Sequence, residues 1–143
     1  MKKFKKWLVM LFAILGILVF NYRKKECKPP ELISTISSMN HEYCSIIIHK
    51  SRINDKVELA LYLIEVCREN AFENIKFATD IRGYPSALYL TVYLNKIDFL
   101  EGAIFMTVKY IPEENNDTCT IVDENVQYEL YVDQTLIKDC NNI

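Results

Sequence analysis

Residues 55–70 read DKVELALYLIEVCREN, and this stretch decides the fold. Asp55 followed three positions later by Glu58 resembles a capping box, in which a side-chain acceptor satisfies the first free amides of a helix. Val57, Ala60, Leu61, Ile64, Cys67 and Ala71 recur at intervals of three and four, which predicts a helix over Asp55–Asn70 with that stripe turned to a core. Glu58, Tyr62, Glu65 and Glu69 fall on the opposite side and read as a solvated face. The neighbouring segments are mostly strand-like, so this helix has a sheet to cover.

Upstream, Cys44–Lys50 reads CSIIIHK, a strand because three consecutive isoleucines suit a pleated surface. Glu31–Asn40 is expected to form a short helix with Leu32, Ile33, Ile36 and Met39 on one side. Downstream, Asn74–Arg82 alternates Ile75, Phe77, Thr79 and Ile81 against Lys76, Ala78, Asp80 and Arg82, as a half-buried strand does. Gly83-Tyr84-Pro85-Ser86 signals a turn. Ala87–Leu94 then sets Leu88, Leu90, Val92 and Leu94 against Tyr89, Thr91 and Tyr93. Asn95–Gly102 reads as a one-turn connector, capped by Asp98 and ended by Gly102. Ala103–Ile111 is the next strand, closed by Pro112. After the polar loop PEENND at 112–117, Thr118–Val122 and Val126–Val132 are expected to pair as a hairpin across Asp123-Glu124-Asn125. The tail from Asp133 is expected to hold one helical turn, with Leu136 and Ile137 packing down.

Short connections make neighbouring strands antiparallel. The predicted class is therefore α+β: one amphipathic helix on a curled antiparallel sheet of about five strands, in the order β-α-β-β-β-β, after an N-terminal hydrophobic helix. That order is similar to the order in cystatin-like domains, a likeness of fold alone. The Gln-x-Val-x-Gly loop by which cystatins block cysteine proteases is missing. The turn after the strand that follows the helix reads Arg82-Gly83-Tyr84-Pro85 instead.

The chain also carries an unbroken apolar run, Trp7–Phe20 (WLVMLFAILGILVF), with Lys2, Lys3, Lys5 and Lys6 before it and Arg23, Lys24 and Lys25 after it. A basic start followed by an apolar block is the layout of a secretory signal or an N-terminal anchor. As a helix the run is roughly 21 Å long at about 1.5 Å per residue, against a hydrocarbon core about 30 Å thick. The flanking lysine and arginine stems can snorkel to the headgroups and extend it. Leu18, Val19, Phe20, Asn21 and Tyr22 offer no small-residue cleavage site, which favours an uncleaved anchor over a removed signal. Trp7, Leu8, Leu11, Phe12, Leu15, Leu18 and Phe20 are the expected lipid-facing residues. The Cys27 environment does not suit lipidation, because Lys24, Lys25 and Glu26 precede it.

The expected organisation is an anchor or uncleaved signal over residues 1–22, a linker with a short helix over 23–41, and a single α+β domain over 42–143. The expected location is single-pass in a membrane with the domain outside the cytoplasm, or alternatively secreted. Residues 1–28 hold eight Lys/Arg and one Glu, a balance of +7, whereas the remainder carries −9. An acidic domain is repelled by phosphate backbones, so no nucleic-acid partner is expected.

Chemistry is sparsely signalled. The five cysteines, Cys27, Cys44, Cys67, Cys119 and Cys140, show no C-x-x-C spacing. Cys67 reads as a core residue, and Cys119 with Cys140 is the pair to test first if the domain lies outside the cytoplasm. His41-Glu42-Tyr43-Cys44 lacks the second histidine of a zincin motif, although a Cys–His pair can assemble in space. With only Gly16, Gly83 and Gly102 the chain has no glycine-rich phosphate cradle. Glu113, Glu114 and Asp117 depart from EF-hand spacing, and Asn116-Asp117-Thr118 matches a glycosylation acceptor. No cofactor and no metal are expected.

The surface feature that stands out is tyrosine. Tyr84, Tyr89 and Tyr93 lie in or beside one hairpin, and Tyr89, Thr91 and Tyr93 share the side away from the leucines. If the helix covers the leucine side, these residues occupy the open side of the sheet, where rigid aromatics with polar tips suit a protein partner. The expected role is a non-enzymatic module binding a protein partner or ligand. The alternatives are a small enzyme or enzyme inhibitor on a cystatin-like roll, and an accessory subunit of a membrane complex.

Overall fold

The computed structural model describes Ile14, residues 28–113 and residues 118–137. The expected anchor over Trp7–Phe20, Ile14 aside, lies outside the described residues, as do Cys27, Cys140 and residues 114–117. Among the described residues no helix is long and apolar enough to cross a membrane.

The fold is α+β, built on a six-stranded mixed sheet whose spatial order follows the chain. The strands are β1 (Glu31–Ser38), β2 (His41–Ile47), β3 (Ala87–Tyr93), β4 (Met106–Pro112), β5 (Tyr128–Val132) and β6 (Thr135–Ile137). Helix α1 (Lys56–Arg68) joins β2 to β3, with the short α2 (Thr79–Arg82) after it, and α3 (Lys96–Glu101) joins β3 to β4. β2 and β3 run parallel, and every other neighbouring pair is antiparallel. This corrects the all-antiparallel expectation. A connection that includes a helix returns the chain to the end of the sheet from which it left, so the next strand runs in the same direction. Two strands precede the helix instead of one, which also removes the β-α-β-β-β-β order.

The expected helix over Glu31–Asn40 is strand β1. Leu32 is buried opposite Ile46, the register shifts between Leu32 and Ser34, and the hydroxyl-rich composition is poor for a helix. It turns into β2 through Met39 and Asn40, both at positive φ (49° and 64°). β5 turns into β6 in the same way through Asp133 and Gln134 at 48° and 69°. Such two-residue turns match the twist of the strands they join, and Asn and Asp tolerate the left-handed region. The tail is therefore a strand and not a helical turn, with β6 pairing Ile137 to Leu130 and Thr135 to Val132.

α1 begins where expected. The Asp55 side chain accepts hydrogen bonds from the amides of Val57 and Glu58 at 2.8 and 3.0 Å. Its buried face is Leu59, Ala60, Leu63, Ile64, Val66 and Cys67. Val57 and Leu61 are only half-buried and Ala71 is exposed, so the core stripe is rotated from the expected one. The helix carries apolar residues on more than half its circumference, and packing against the sheet chooses among them. Glu58, Tyr62, Glu65 and Glu69 are exposed. α3 is capped by Asn95, which takes the place expected for Asp98, and ends at Gly102 in the left-handed region (φ 70°).

Asn74–Arg82 is not a strand. Two asparagine side chains hold it in place, one by binding its backbone and one by reaching from it to β1. Asn70 accepts from the Phe77 amide at 2.8 Å and donates to the Phe77 carbonyl at 3.1 Å. Asn74 donates to the Leu32 carbonyl at 2.8 Å and accepts from the Leu32 amide at 3.3 Å, like one rung of an added strand on the β1 edge. Among the apolar residues of the segment Phe77 is buried, while Ile81 is 81% exposed. Residues 118–127 likewise form turns, so the expected hairpin across Asp123–Asn125 is absent, and β5 pairs with β4 instead.

The core lies between α1 and one face of the sheet. Leu32, Cys44, Ile46, Leu88, Leu90, Val92, Met106, Val108, Leu130 and Val132 supply the sheet side, and Phe72, Phe77, Cys119 and Ile121 from the connecting segments join it. Burying side chains of this size is worth roughly 1.5–3 kcal/mol each.

Candidate binding face

Strand alternation sends His41, Tyr43, Ser45 and Ile47 of β2, and Ala87, Tyr89, Thr91 and Tyr93 of β3, to the side away from α1. Register then aligns one residue from every strand into a row: Ile36, Tyr43, Tyr89, Lys109, Tyr131 and Leu136. Beside it runs a row of small hydroxyl residues, Ser34, Ser45, Thr91 and Thr107. Ile36 is 66% exposed, Tyr43 41% and Leu136 38%.

The row is held from within. Tyr43 and Tyr89 stack at 4.7 Å with ring planes 12° apart, and His41 lies 5.8 Å from Tyr89. Desolvation and the neighbouring Tyr43 raise the Tyr89 hydroxyl pKa above the ordinary tyrosine value. Tyr131 donates to Glu129 at 2.7 Å, and that hydrogen bond raises its pKa too. Both tyrosines therefore remain neutral donors and acceptors at physiological pH.

The structure separates the tyrosines expected to act together. Tyr89 and Thr91 lie on the open face. Tyr93 shares the face but is buried, with Phe99 of α3 meeting it edge-on at 5.2 Å. Tyr84 packs against the hydrophobic core. Ile36, Tyr43, Lys109, Tyr131 and Leu136 were missed. Each sits at an alternating position of its strand, but pairing them required a register that no local pattern specifies.

His41 and Cys44 project from opposite faces of β2, so they do not form a nucleophile pair. His49 bonds Glu31 at 2.9 Å. The Cys44 thiol is pushed up to about 12 by burial and by the charge of Glu42, against a lowering contribution from the Thr35 hydroxyl. Cys67 is raised well above the ordinary value by burial, by Cys44 and by Glu42. Such thiols carry little of the nucleophilic thiolate. Cys119 is buried 3.7 Å from the Tyr128 hydroxyl. Among the described residues no group of three or more His, Cys, Asp and Glu side chains is placed to hold a metal ion.

Comparison with protein-family models, with curated proteins and with solved structures found no match to this chain.

Proposed function

We propose that the chain is a non-enzymatic binding module that takes a protein partner on the open face of its sheet, tethered to or exported across a membrane by residues 7–20. The observation that carries the binding reading is the row Ile36–Tyr43–Tyr89–Lys109–Tyr131–Leu136. Exposed apolar and aromatic groups in a contiguous line are costly to leave in water and favour contact with another surface. Tyrosines add area at a low cost in side-chain entropy, and their hydroxyls stay able to hydrogen-bond. The tether reading is supported by the apolar run and its basic flanks.

Photo-crosslinking tests the face. A photoreactive residue at Ile36 or Lys109 is expected to yield an adduct of discrete mass that the double change Tyr43→Ser and Tyr89→Ser suppresses. The same probe at Tyr62, on the exposed side of α1, is expected to yield none. Equal adducts from both sides would refute the proposal. Fractionation with protease shaving and N-terminal sequencing reads the tether, its side and its cleavage together.

A further inference from the structure

The face that packs on α1 holds one group that the binding row does not use. Glu42 points to the core side of β2 and is only 7% exposed. It accepts hydrogen bonds from the Thr35 and Ser37 hydroxyls, the second at 2.7 Å. Among the described residues no lysine, arginine or histidine forms an ion pair with it. A carboxylate has about four acceptor positions, so two hydroxyls leave capacity unused. A buried carboxylate without a counter-charge is costly unless something supplies that charge.

The carboxylate also lines a cleft of about 600 Å³ between the β1–β2 turn and the segment around α2. Lys76 and Arg82 stand on the wall of the same cleft, and Phe77 lines it as well. Met39 and Ile81 line it too, although they are 89% and 81% exposed. The cleft therefore offers a buried negative group, two cationic side chains and an apolar wall. A cation alone would meet Lys76 and Arg82, and an anion alone would meet Glu42.

From this arrangement we infer that the cleft binds a small zwitterion with an apolar side chain, of the α-amino-acid class. Its ammonium donates to Glu42, its carboxylate faces Lys76 and Arg82, and its side chain lies against Phe77, Met39 and Ile81. This site is separate from the open sheet face and stands without the protein-partner reading.

The test titrates L-leucine into the full-length chain in mild detergent, followed by backbone NMR shifts and calorimetry. Saturable binding is expected, with shifts at Thr35, Ser37 and Glu42. N-acetyl-leucine and 4-methylpentanoate, which lack the ammonium, are expected not to bind. Glu42→Gln should weaken leucine binding at least about tenfold, the usual worth of a charge-assisted hydrogen bond. Lys76→Ala with Arg82→Ala, both at exposed positions, should weaken leucine more than leucine amide, which keeps the site testable if the Glu42 variant misfolds. Tyr43→Ser with Tyr89→Ser should leave leucine binding unchanged, so failure of one site is distinguishable from failure of the other. Absence of saturable binding, or equal binding of N-acetyl-leucine, would overturn the inference.

Discussion

Replacing Lys56 by methionine removes a tie between parts of the chain 77 residues apart while keeping most of the aliphatic stem. The Lys56 ammonium lies 2.6 Å from Asp133 Oδ2 and 3.1 Å from the Phe105 carbonyl oxygen, and 4.8 Å from the centre of the Phe105 ring. It thus joins the start of α1 to the approach to β4 and to the β5–β6 turn. The two charged side chains are 41% and 43% exposed, so water screens the pair and its worth is about 0.5 kcal/mol. The contact with the Phe105 ring adds about 0.5 kcal/mol, and the bond to the carbonyl, which water can partly replace, a similar amount.

The expected loss for Lys56→Met is therefore about 1–2 kcal/mol, read as a shift in the urea midpoint followed by circular dichroism. Asp133→Asn should cost less, about 0.5 kcal/mol, because asparagine still tolerates the left-handed turn and still accepts from the Thr107 amide, bonded at 2.9 Å. The double variant should show a coupling of about 0.5 kcal/mol that fades in 1 M salt, where the screening length is about 3 Å. Burial opposes the Asp133 charge, but the hydrogen bonds from Lys56 and the Thr107 amide and the charge of Lys56 outweigh it, so its pKa is lowered. A lowered carboxyl contributes stability above its unfolded value, about 3.9, and loses it as pH falls through the folded value. The wild-type advantage over Asp133→Asn should therefore persist at neutral pH and vanish in acid. A Lys56→Met variant as stable as wild type, or a double variant with no coupling, would refute the tie.

Asn74→Ala should destabilise by about 1–2 kcal/mol and speed hydrogen exchange at the Leu32 amide, since both bonds to the β1 edge are lost. Leu63→Ala, at a fully buried position of α1, should cost about 3 kcal/mol in the same urea assay. Iodoacetamide at pH 8 should leave Cys44 and Cys67 unmodified in the native chain and alkylate both in denaturant, with peptide mass spectrometry as the readout, because burial raises both thiols and blocks access.

Local chemistry was legible in the sequence where it acts within a few residues. The Asp55 cap, the helix it starts, the Leu88/Leu90/Val92 alternation and the Gly102 stop all follow from interactions along one stretch of chain. The separation of a basic, apolar N-terminal segment from an acidic remainder is likewise a property of composition. Tertiary structure decided what depends on distant partners. The Asn70 side chain occupies the Phe77 backbone and the Asn74 side chain pins the segment to the β1 edge, so 74–82 forms no strand although its alternation alone reads as one. β1 forms a strand because β2 offers it a ladder, and the helical crossover makes β2 and β3 parallel. The open-face row and the Glu42 cleft exist only once register and crossover are set, because each gathers residues from segments far apart in the chain, and no periodicity within one segment encodes which neighbour it will meet.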